Sequence, residues 1–286
     1  MSSILTNNSA MVALQTLKGI NSNLAKTQDQ IATGKDIASA KDGSAVWAIS
    51  KVMESDVAGF NAVSDSLAIG ESTVAVASAG AEQIVKVLKE MKELAVAGAS
   101  ETADFTKIEA EMAEKEAQIT SIIEASQFNG VNLLKADVDG NGGTQLTVLS
   151  SLDRAGANDA SNGNPPTIAT IDVASADFET DLDVAGRTAI TDAASAQTAM
   201  DEIEGFLQVA IEGAANLGAS GKRINDQSDF VSKLTDAMKS GIGALVDADM
   251  EAASARLQAL QTQQQLGVQA LSIANQAPQT ILSLFR

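Results

Sequence analysis

The chain has 286 residues, a formal net charge of −18 and only 3% aromatic residues. It contains no His and no Cys, which excludes histidine-based acid–base catalysis, disulfides, thiolate nucleophiles and most transition-metal sites. The negative charge argues against a nucleic-acid partner, and no apolar run is long enough to predict a membrane span. We therefore expect no catalysis, no metal, no cofactor, and neither a nucleic-acid nor a membrane partner.

The first predicted helix begins near Thr6 or Asn7, which are common N-cap residue types, and ends near Thr33. Apolar residues recur along it at steps of three and four, so they share one face of the helix. The first seventeen residues of the chain contain no Lys or Arg, so no cleaved secretory signal is expected. The assembly-face residues predicted here are Leu14, Leu17, Leu24 and Ile31, with Asn21 and Gln28 at the polar positions of the stripe.

Two more helices are predicted before residue 130. The first covers residues 44–98 after an irregular stretch at 35–42, and the second covers about residues 104–126. A turn at 99–102 separates them, and a Gly turn signal within 128–131 ends the second. The predicted buried faces are Ile84, Leu88, Met91 and Ala95 on the first helix, and Phe105, Ile108, Met112, Ile119 and Ile122 on the second.

The helical period fails in the middle of the chain. Residues 144–149 alternate polar and apolar side chains, as a half-buried strand does, and residues 167–173 form a second candidate strand. We expect a small β-hairpin there and loop in the rest of 136–195. Residues 136–204 contain thirteen acidic residues against two arginines, a local balance of −11, so this part should face solvent.

A loop at 137–142 matches the first half of a calcium-binding loop. The twelfth position from Asp137 is Val148, where such a loop needs a bidentate Glu, so a solvated turn is the favoured interpretation. Asp181 and Asp183 form a pair of carboxylates, but nothing in the sequence distinguishes them from a charged loop.

The longest pattern of the chain runs from Met200 to Leu245 at steps of three and four, and eleven of its fourteen positions are apolar. This regularity predicts a coiled-coil seam; an ordinary bundle helix is the alternative. Gly241 and Gly243 are expected to interrupt the helix before the terminal one. The seam positions are Met200, Ile203, Leu207, Ala210, Ala214, Leu217, Gly221, Ile224, Ser228, Val231, Thr235, Met238, Ile242 and Leu245.

A second low-charge stripe lies at the C-terminal end, where residues 254–286 contain no acidic residue. Neither terminal stripe can be buried by itself, so we predict that the two pair with each other and with copies in other chains. The assembly-face residues predicted here are Leu257, Leu260, Leu271, Ile281, Leu284 and Phe285, with Gln264, Gly267 and Ala274 completing the stripe.

Five stretches stand out as a set: Ser2 to Ser9 with Leu5-Thr6-Asn7-Asn8, Ile31-Ala32-Thr33-Gly34-Lys35 through Ser39-Ala40-Lys41-Asp42-Gly43, Leu94-Ala95-Val96, Gln127-Phe128-Asn129-Gly130-Val131, and Ala274-Asn275-Gln276-Ala277 through Arg286. Together they resemble bacterial flagellin over about residues 1–134 and 198–286. The short length and the variant stretch 244–250 are similar to flagellins of alphaproteobacteria.

The resemblance implies a mainly α fold. Long antiparallel helices from both chain ends form a coiled coil, and a helical bundle carries a small β-hairpin and a short variable surface insert. The implied domains are an inner terminal coiled coil (1–40 with 248–286), a helical bundle (44–135 with 196–246), and an exposed insert (136–195).

The resemblance also implies the function of a structural subunit of the bacterial flagellar filament, the motility propeller, which self-assembles through its terminal helices. Expected partners are other flagellin subunits, the flagellar export apparatus, and the cap and hook-associated proteins, and the expected location is extracellular. The alternative is a hook–filament junction protein. A secreted translocator or adhesin is a rival of another class, but the membrane-seeking segments it predicts are missing.

One stretch resembles a segment that vertebrate innate immunity recognises in many flagellins, with Leu88, Glu90 and Leu94 as its candidate residues. Receptor-binding family members usually have Arg where this chain has Glu90, and reversing a charge at an interface replaces attraction with repulsion. We therefore predict weak or absent receptor activation. The metalloprotease motif of some flagellins is excluded by the lack of His.

Overall fold

The computed structural model describes residues 7–152 and 168–284, with side chains as far as residue 276. The described elements are α1 (Asn8–Thr33), α2 (Ser44–Gly98), α3 (Phe105–Ala125), β1 (Gln145–Leu152), β2 (Ile168–Ala174), α4 (Phe178–Asp181), a 3-10 turn (Val184–Gly186), α5 (Ala193–Val246) and α6 (Met250–Leu284). Contacts divide the chain into two compact units. Unit 1 comprises Met1–Ser55 and Ala237–Arg286, and unit 2 comprises Asp56–Asp236.

The predicted limits of the first three helices are confirmed within two residues, and local chemistry explains them. Asn7 is the N-cap of α1, where its Oδ1 accepts a hydrogen bond from the Ala10 N–H at 3.1 Å. Gly34 ends α1 at φ 70°, a left-handed conformation that favours glycine. Asp104 caps α3 in the same way as Asn7 caps α1.

In unit 2, the long helices α2 and α5 pack antiparallel. The Asn225 Nδ2 donates to Glu71 Oε1 at 2.9 Å, and the Lys92 ammonium pairs with Glu204. Buried positions follow steps of three and four along α2 from Phe60 to Gly98, a longer seam than the 84–95 stripe predicted. The fully buried side chains of this bundle include Leu67, Ile84, Leu88, Met91, Met112, Ile119, Ile203 and Leu217.

The predicted hairpin is present, and it packs closely on the bundle. Strands β1 and β2 pair antiparallel, with an irregularity between Leu149 and Ser151. A Cβ added at Gly70 of α2 would lie 2.6 Å from Val148 Cγ2, so the absence of a side chain there makes room for β1. Helix side chains also bind the hairpin backbone: the Leu149 N–H donates to Ser66 Oγ, Arg223 Nη2 donates to the Asp172 carbonyl, and Gln227 Nε2 donates to the Ser150 carbonyl.

The segment after β2 is more structured than the predicted loop. Phe178 of α4 is fully buried against α5, where a Cβ added at Gly213 would lie 2.5 Å from its ring. Arg187 is almost completely buried and pairs with Glu109 at 2.9 Å and with Glu116, both on α3. Burial raises the pKa of Glu109, but the Arg187 guanidinium and the Ile190 N–H outweigh it and hold that pKa below its ordinary value.

The long helix predicted from the seam at 200–245 is confirmed as α5, with two corrections. It begins at Ala193, and it continues to Val246, so the interruption predicted at Gly241 and Gly243 is wrong. Glycine lowers helix propensity only by about 1 kcal/mol, which packing within a long helix can offset. At the end of the seam Val246 is buried, whereas Leu245 is 42% exposed.

Candidate functional site: the paired terminal helices

Helices α1 and α6 of unit 1 pack antiparallel from the base of the pair to about residue 274 and form what we call the terminal pair. Three contacts at separate levels establish this arrangement. The Asn7 Nδ2 donates to the Ala274 carbonyl at 2.8 Å, and the Gln264 Nε2 donates to Asn21 Oδ1 at 2.7 Å. Between these levels, a Cβ added at Gly267 would lie 2.8 Å from Leu17 Cδ1, so the Leu17 side chain packs on the Gly267 backbone.

The inward-facing residues of α6 are the predicted ones. Leu257, Gln264, Gly267, Leu271 and Ala274 are half-buried, and Leu260 is 7% exposed, while the intervening residues are exposed. Every step between these positions is three or four residues, as a coiled-coil seam requires. The side chains of Ile281, Leu284 and Phe285 lie outside the described ones.

On α1 the predicted stripe needs a partial correction. Leu17, Leu24 and Ile31 are half-buried as expected, but Leu14 is 58% exposed and lies off the seam. Asn21 and Gln28 are also exposed, and the seam instead passes through Ala13, Ile20 and Thr27. An alanine and a threonine carry little apolar signal, so the sequence left a one-residue ambiguity in the register of this stripe.

A short backbone bridge lies at the end of the terminal pair where α1 ends and α6 begins. The Ala248 N–H donates to the Gly34 carbonyl at 2.9 Å, and the Asp36 N–H donates to the Val246 carbonyl at 2.7 Å. Lys35 and Asp247 are antiparallel bridge partners between these two bonds. We call this element the base bridge; it joins the chain just after α1 to the chain just before α6.

Polar side chains near the base bridge are buried with partners. Gln30 Nε2 donates to Asp36 Oδ1 at 2.5 Å, and Thr27 Oγ1 donates to the Asn23 carbonyl at 2.9 Å. Asp249 caps α6 by accepting from the Glu251 and Ala252 N–H groups at 3.0 and 3.1 Å. These bonds satisfy backbone and amide groups locally and leave the rest of the terminal pair weakly polar.

Large apolar side chains also lie on the outer faces of the terminal pair. On α6, Ile273, Leu266 and Val268 are 69%, 63% and 54% exposed, and on α1, Val12 and Met11 are 63% and 58% exposed. Exposed apolar side chains concentrated on one pair of helices are typical of a protein–protein interface. Few charges interrupt it, since residues 254–286 contain no acidic residue.

The candidate receptor-binding residues lie in unit 2. Leu88 is fully buried, Leu94 is half-buried, and Glu90 forms an ion pair with Lys115 at 2.5 Å. The hydrogen bond from Lys115 holds the pKa of Glu90 below its usual range. Weak receptor activation stays a prediction; strong signalling in a cell reporter assay with the purified monomer would contradict it.

The loop at 137–142 uses its carboxylates for backbone hydrogen bonds. Asp139 Oδ1 accepts from the Asn141 and Gly143 N–H groups at 2.9 and 3.0 Å, and Asp137 Oδ1 accepts from the Gly142 N–H. These bonds hold the pKa of Asp139 below its ordinary value. Within residues 7–152 and 168–284, no three His, Cys, Asp or Glu side chains are grouped as metal ligands.

The fold and the terminal pair define a structural helical protein whose terminal helices expose several large apolar side chains. Over the described part of the chain, no helix has a segment long and apolar enough to cross a lipid bilayer.

Comparisons with known proteins agree with this class. Residues 4–139 match the bacterial flagellin N-terminal helical region, and residues 191–285 match the bacterial flagellin C-terminal helical region. The chain is 42% identical to flagellin FljK of Caulobacter vibrioides, over 100% of this chain and 99% of that one. It is 41% identical to a flagellin of Brucella melitensis and 33% identical to flagellin A of Rhizobium meliloti, each over 100% of both chains. A crystal structure of Bacillus cereus flagellin is similar with a TM-score of 0.47 and 20% identity, over 57% of this chain and 86% of that one.

The chain therefore belongs to the bacterial flagellin family. It is a structural subunit of the flagellar filament and assembles with other flagellin subunits. Nothing in these relatives favours the alternative of a hook–filament junction protein.

Proposed function

We propose that the chain self-assembles through its terminal helices, and that the assembly face includes Leu14, Leu17, Leu24, Ile31, Leu257, Leu260, Leu271, Ile281, Leu284 and Phe285. The observation that carries this proposal is the incomplete burial of the terminal pair. Its seam residues remain mostly half-exposed, and further large apolar side chains lie on its outer faces. Burying such surface against neighbouring subunits is favourable by about 25 cal/mol per Å².

Leu14 fits this proposal although it lies off the seam. Its side chain is 58% exposed, next to Met11 and Val12 in sequence, so it is available to another subunit. The terminal helices of an isolated monomer bury too little apolar surface to offset the conformational entropy of ordering them. We expect them to be disordered in the monomer and to fold as a subunit joins the filament end.

The same surface explains growth without covalent bonds. An interface that joins two different faces of identical subunits does not close and generates an open helical polymer. We further propose that the filament is extracellular, that the export apparatus, cap and hook-associated proteins are partners, and that the chain has no catalytic activity. Family membership and the absence of His and Cys support these points.

The domain division proposed for this subunit is the one expected from the sequence. Residues 1–40 with 248–286 form the inner coiled coil, 44–135 with 196–246 form the bundle, and 136–195 form the exposed insert. The limits of the two compact units differ from these, because two long helices, α2 and α5, each contribute residues to both units.

Negative-stain microscopy after salt-induced polymerisation of the purified full chain tests the proposal. We expect long filaments from the full chain and none from a variant that lacks residues 254–286. The thermal unfolding of the bundle is the control, and it should be the same in both. Filaments from the truncated chain would contradict assembly through the terminal helices, and short capped oligomers from the full chain would support a junction protein instead.

A further inference from the structure

We propose that the close contact of Gly267 with Leu17 and the Asn21–Gln264 amide pair determine the register in which α6 pairs with α1. These four residues would then be specificity-determining residues of assembly. This inference rests on the proposed function, because it concerns how the terminal helices choose their partner.

The register needs a specific determinant, because burial of apolar side chains distinguishes poorly between the observed register and registers shifted by seven residues. Both stripes repeat at heptad spacing, so a slip of seven residues again places apolar residues opposite each other. Attraction between charges on the two helices contributes little to the choice of register. Glu251 and Arg256 are the charged residues of α6, and both lie near the base bridge.

The first determinant is the shape of the seam at Gly267. A Cβ added there would lie 2.8 Å from Leu17 Cδ1 and 3.8 Å from Ile20 Cδ1, so the Leu17 side chain occupies the space where another side chain would begin. We call this feature the Gly267 notch. It places a large residue opposite the smallest one.

A slip by one heptad would remove that match in either direction. One direction brings Leu260 to the level of Leu17, and the other brings Leu271 to the level of Ile20. Each slip therefore opposes two large side chains, and forcing extra methylenes into a packed seam typically costs about 1–3 kcal/mol.

The second determinant is the amide pair one turn away. Gln264 Nε2 lies 2.7 Å from Asn21 Oδ1, and Gln264 occupies a seam position that is otherwise apolar. A single polar residue in a seam specifies register at some expense in stability. The pair is exposed, so a slip replaces this bond by bonds to water, and the amide pair is the weaker of the two determinants.

Two further bonds agree with the same register from the ends of the pair. The base bridge joins Gly34 to Ala248, and Asn7 donates to the Ala274 carbonyl at the opposite end. The base bridge fixes the residues at which pairing of α1 with α6 starts. The Gly267 notch and the amide pair then maintain the register of the part of α6 that follows residue 264, which we call the far half of the terminal pair.

The lack of cysteine makes a direct test possible, because two introduced thiols are the only ones in the chain. Ala10→Cys with Ala274→Cys reports on the far half, where both positions are half-buried, and Lys35→Cys with Asp247→Cys reports on the base bridge. Filaments are treated with a short dimaleimide and dissolved in denaturant. An intramolecular link gives a fast-migrating monomer on a gel, and a link between chains gives a dimer.

Gly267→Leu is the decisive substitution. It extends the apolar stripe and raises helix propensity, so a seam governed by apolar burial alone should link at least as well as before. We instead expect the intramolecular 10–274 link to fall about tenfold because of overpacking, while the 35–247 link is unchanged. Ala270→Leu is the matched control: it adds similar bulk at a neighbouring exposed residue and should change neither link.

Exchanging the two sizes completes the test. Leu17→Ala with Gly267→Leu moves the large side chain to the other helix and should restore at least half of the lost 10–274 link. If Gly267→Leu fails to polymerise, recovery of filaments in the exchanged variant supports the proposal equally. Failure of the exchanged variant to recover either filaments or the link would overturn it.

The outcomes separate the two proposals. If the 10–274 reporter gives no intramolecular link in filaments without further substitutions, pairing of the termini within a chain is wrong. If that link forms and Gly267→Leu leaves it as strong as Ala270→Leu does, register determination by the notch is wrong while terminal pairing stands.

Discussion

The terminal pair and the bundle of unit 2 are both built on heptad seams, but the seam residues are buried to different degrees in the two regions. In the bundle, seam residues such as Leu88, Met91 and Ile203 have no exposed surface. In the terminal pair, most seam residues keep part of their surface exposed, and the buried residues among the described side chains of α1 and α6 are Thr27, Gln30, Ala253 and Leu260. The same sequence pattern therefore yields a self-sufficient core in one region and an unfinished one in the other.

The difference comes from the number of surfaces that cover each helix. In unit 2, α2 is covered by α5, by the hairpin at Gly70 and by α3, whose Lys115 pairs with Glu90. In the terminal pair, α1 and α6 mainly have each other. A two-helix pair leaves more than half of each helix surface exposed, which is stable only when other subunits cover it.

The largest contrast should come from matched leucine truncations in the two regions. Leu88→Ala should lower the free energy of unfolding of the monomer by about 3 kcal/mol, because it opens a cavity in a closed core. Leu17→Ala should lower it by less than about 1 kcal/mol, because α6 only half-buries Leu17 and we expect both terminal helices to be disordered in the monomer. Urea unfolding measures both.

The ranking should reverse for polymerisation. Leu17→Ala should raise the protein concentration needed for filament growth, measured by light scattering, more than Leu88→Ala does among chains that remain folded. Equal monomer destabilisation by the two substitutions would show that the terminal pair is already a closed core.

The next effect concerns the ion cluster of unit 2, which consists of the buried Arg187 and its partners Glu109 and Glu116. The pKa of Glu109 lies below its ordinary value of 4.5 in the fold, so its carboxylate contributes stability above that pH, which is lost as pH falls through the folded pKa. Glu109→Gln should therefore destabilise the monomer at pH 7 by roughly 2–3 kcal/mol, because Arg187 stays buried with one fewer carboxylate.

The two proteins should converge in stability as the pH is lowered from 5 to 3. Urea unfolding at several pH values measures this, with Glu101→Gln on the exposed 99–102 turn as the control. Parallel pH curves for the wild type and Glu109→Gln would contradict the assignment of the acid-sensitive pairing to this cluster.

A smaller change in the free energy of unfolding should come from replacing glycines of α5 by alanine. The change should be destabilising where the glycine makes room for a neighbouring side chain and stabilising where it does not. Gly213→Ala places a Cβ 2.5 Å from the buried Phe178 ring and should destabilise the monomer by about 1–2 kcal/mol. Gly218→Ala on the same helix meets nothing within 4 Å and should stabilise it by about 0.5–1 kcal/mol. Differential scanning calorimetry measures both; two stabilised variants would mean that Phe178 is free to move.

The smallest effect belongs to the surface ion pairs of unit 1. Glu54 pairs with Lys51 at 2.5 Å and with Lys35 at 3.6 Å, and the hydrogen bond from Lys51 holds the pKa of Glu54 below its usual range. Because these side chains are partly exposed, Glu54→Gln should change the free energy of unfolding by less than about 0.5 kcal/mol. Thermal unfolding at low salt measures this change. A loss larger than about 0.5 kcal/mol would show that the ion pair is less accessible to solvent than the exposure of its side chains indicates.

Much of the fold could be predicted from the sequence because helix starts, helix ends and seams are local signals. The limits of α1, α2 and α3 follow from residues such as Asn7, Gly34 and Gly98. The hairpin was also predictable, since alternation in 144–149 is a short-range pattern.

The remainder depends on contacts between distant parts of the chain. Short α4 carries too few residues for a period, and it forms because Phe178 finds a space at Gly213. The buried pairing of Arg187 with Glu109 joins residues 78 positions apart. On α1, the choice of Ala13 and Ile20 over Leu14 and Asn21 is made by the shape of α6, which no local pattern of α1 contains.

The bonds from helix side chains to the hairpin backbone have a consequence for a protein that must reach high local concentration. Open strand edges recruit strands from other chains and start amyloid-like fibres. Ser66, Arg223 and Gln227 occupy edge or bulge groups of β1 and β2, which should leave this hairpin a poor template for such fibres. Ordered growth through helices would then proceed without competition from strand addition at this element.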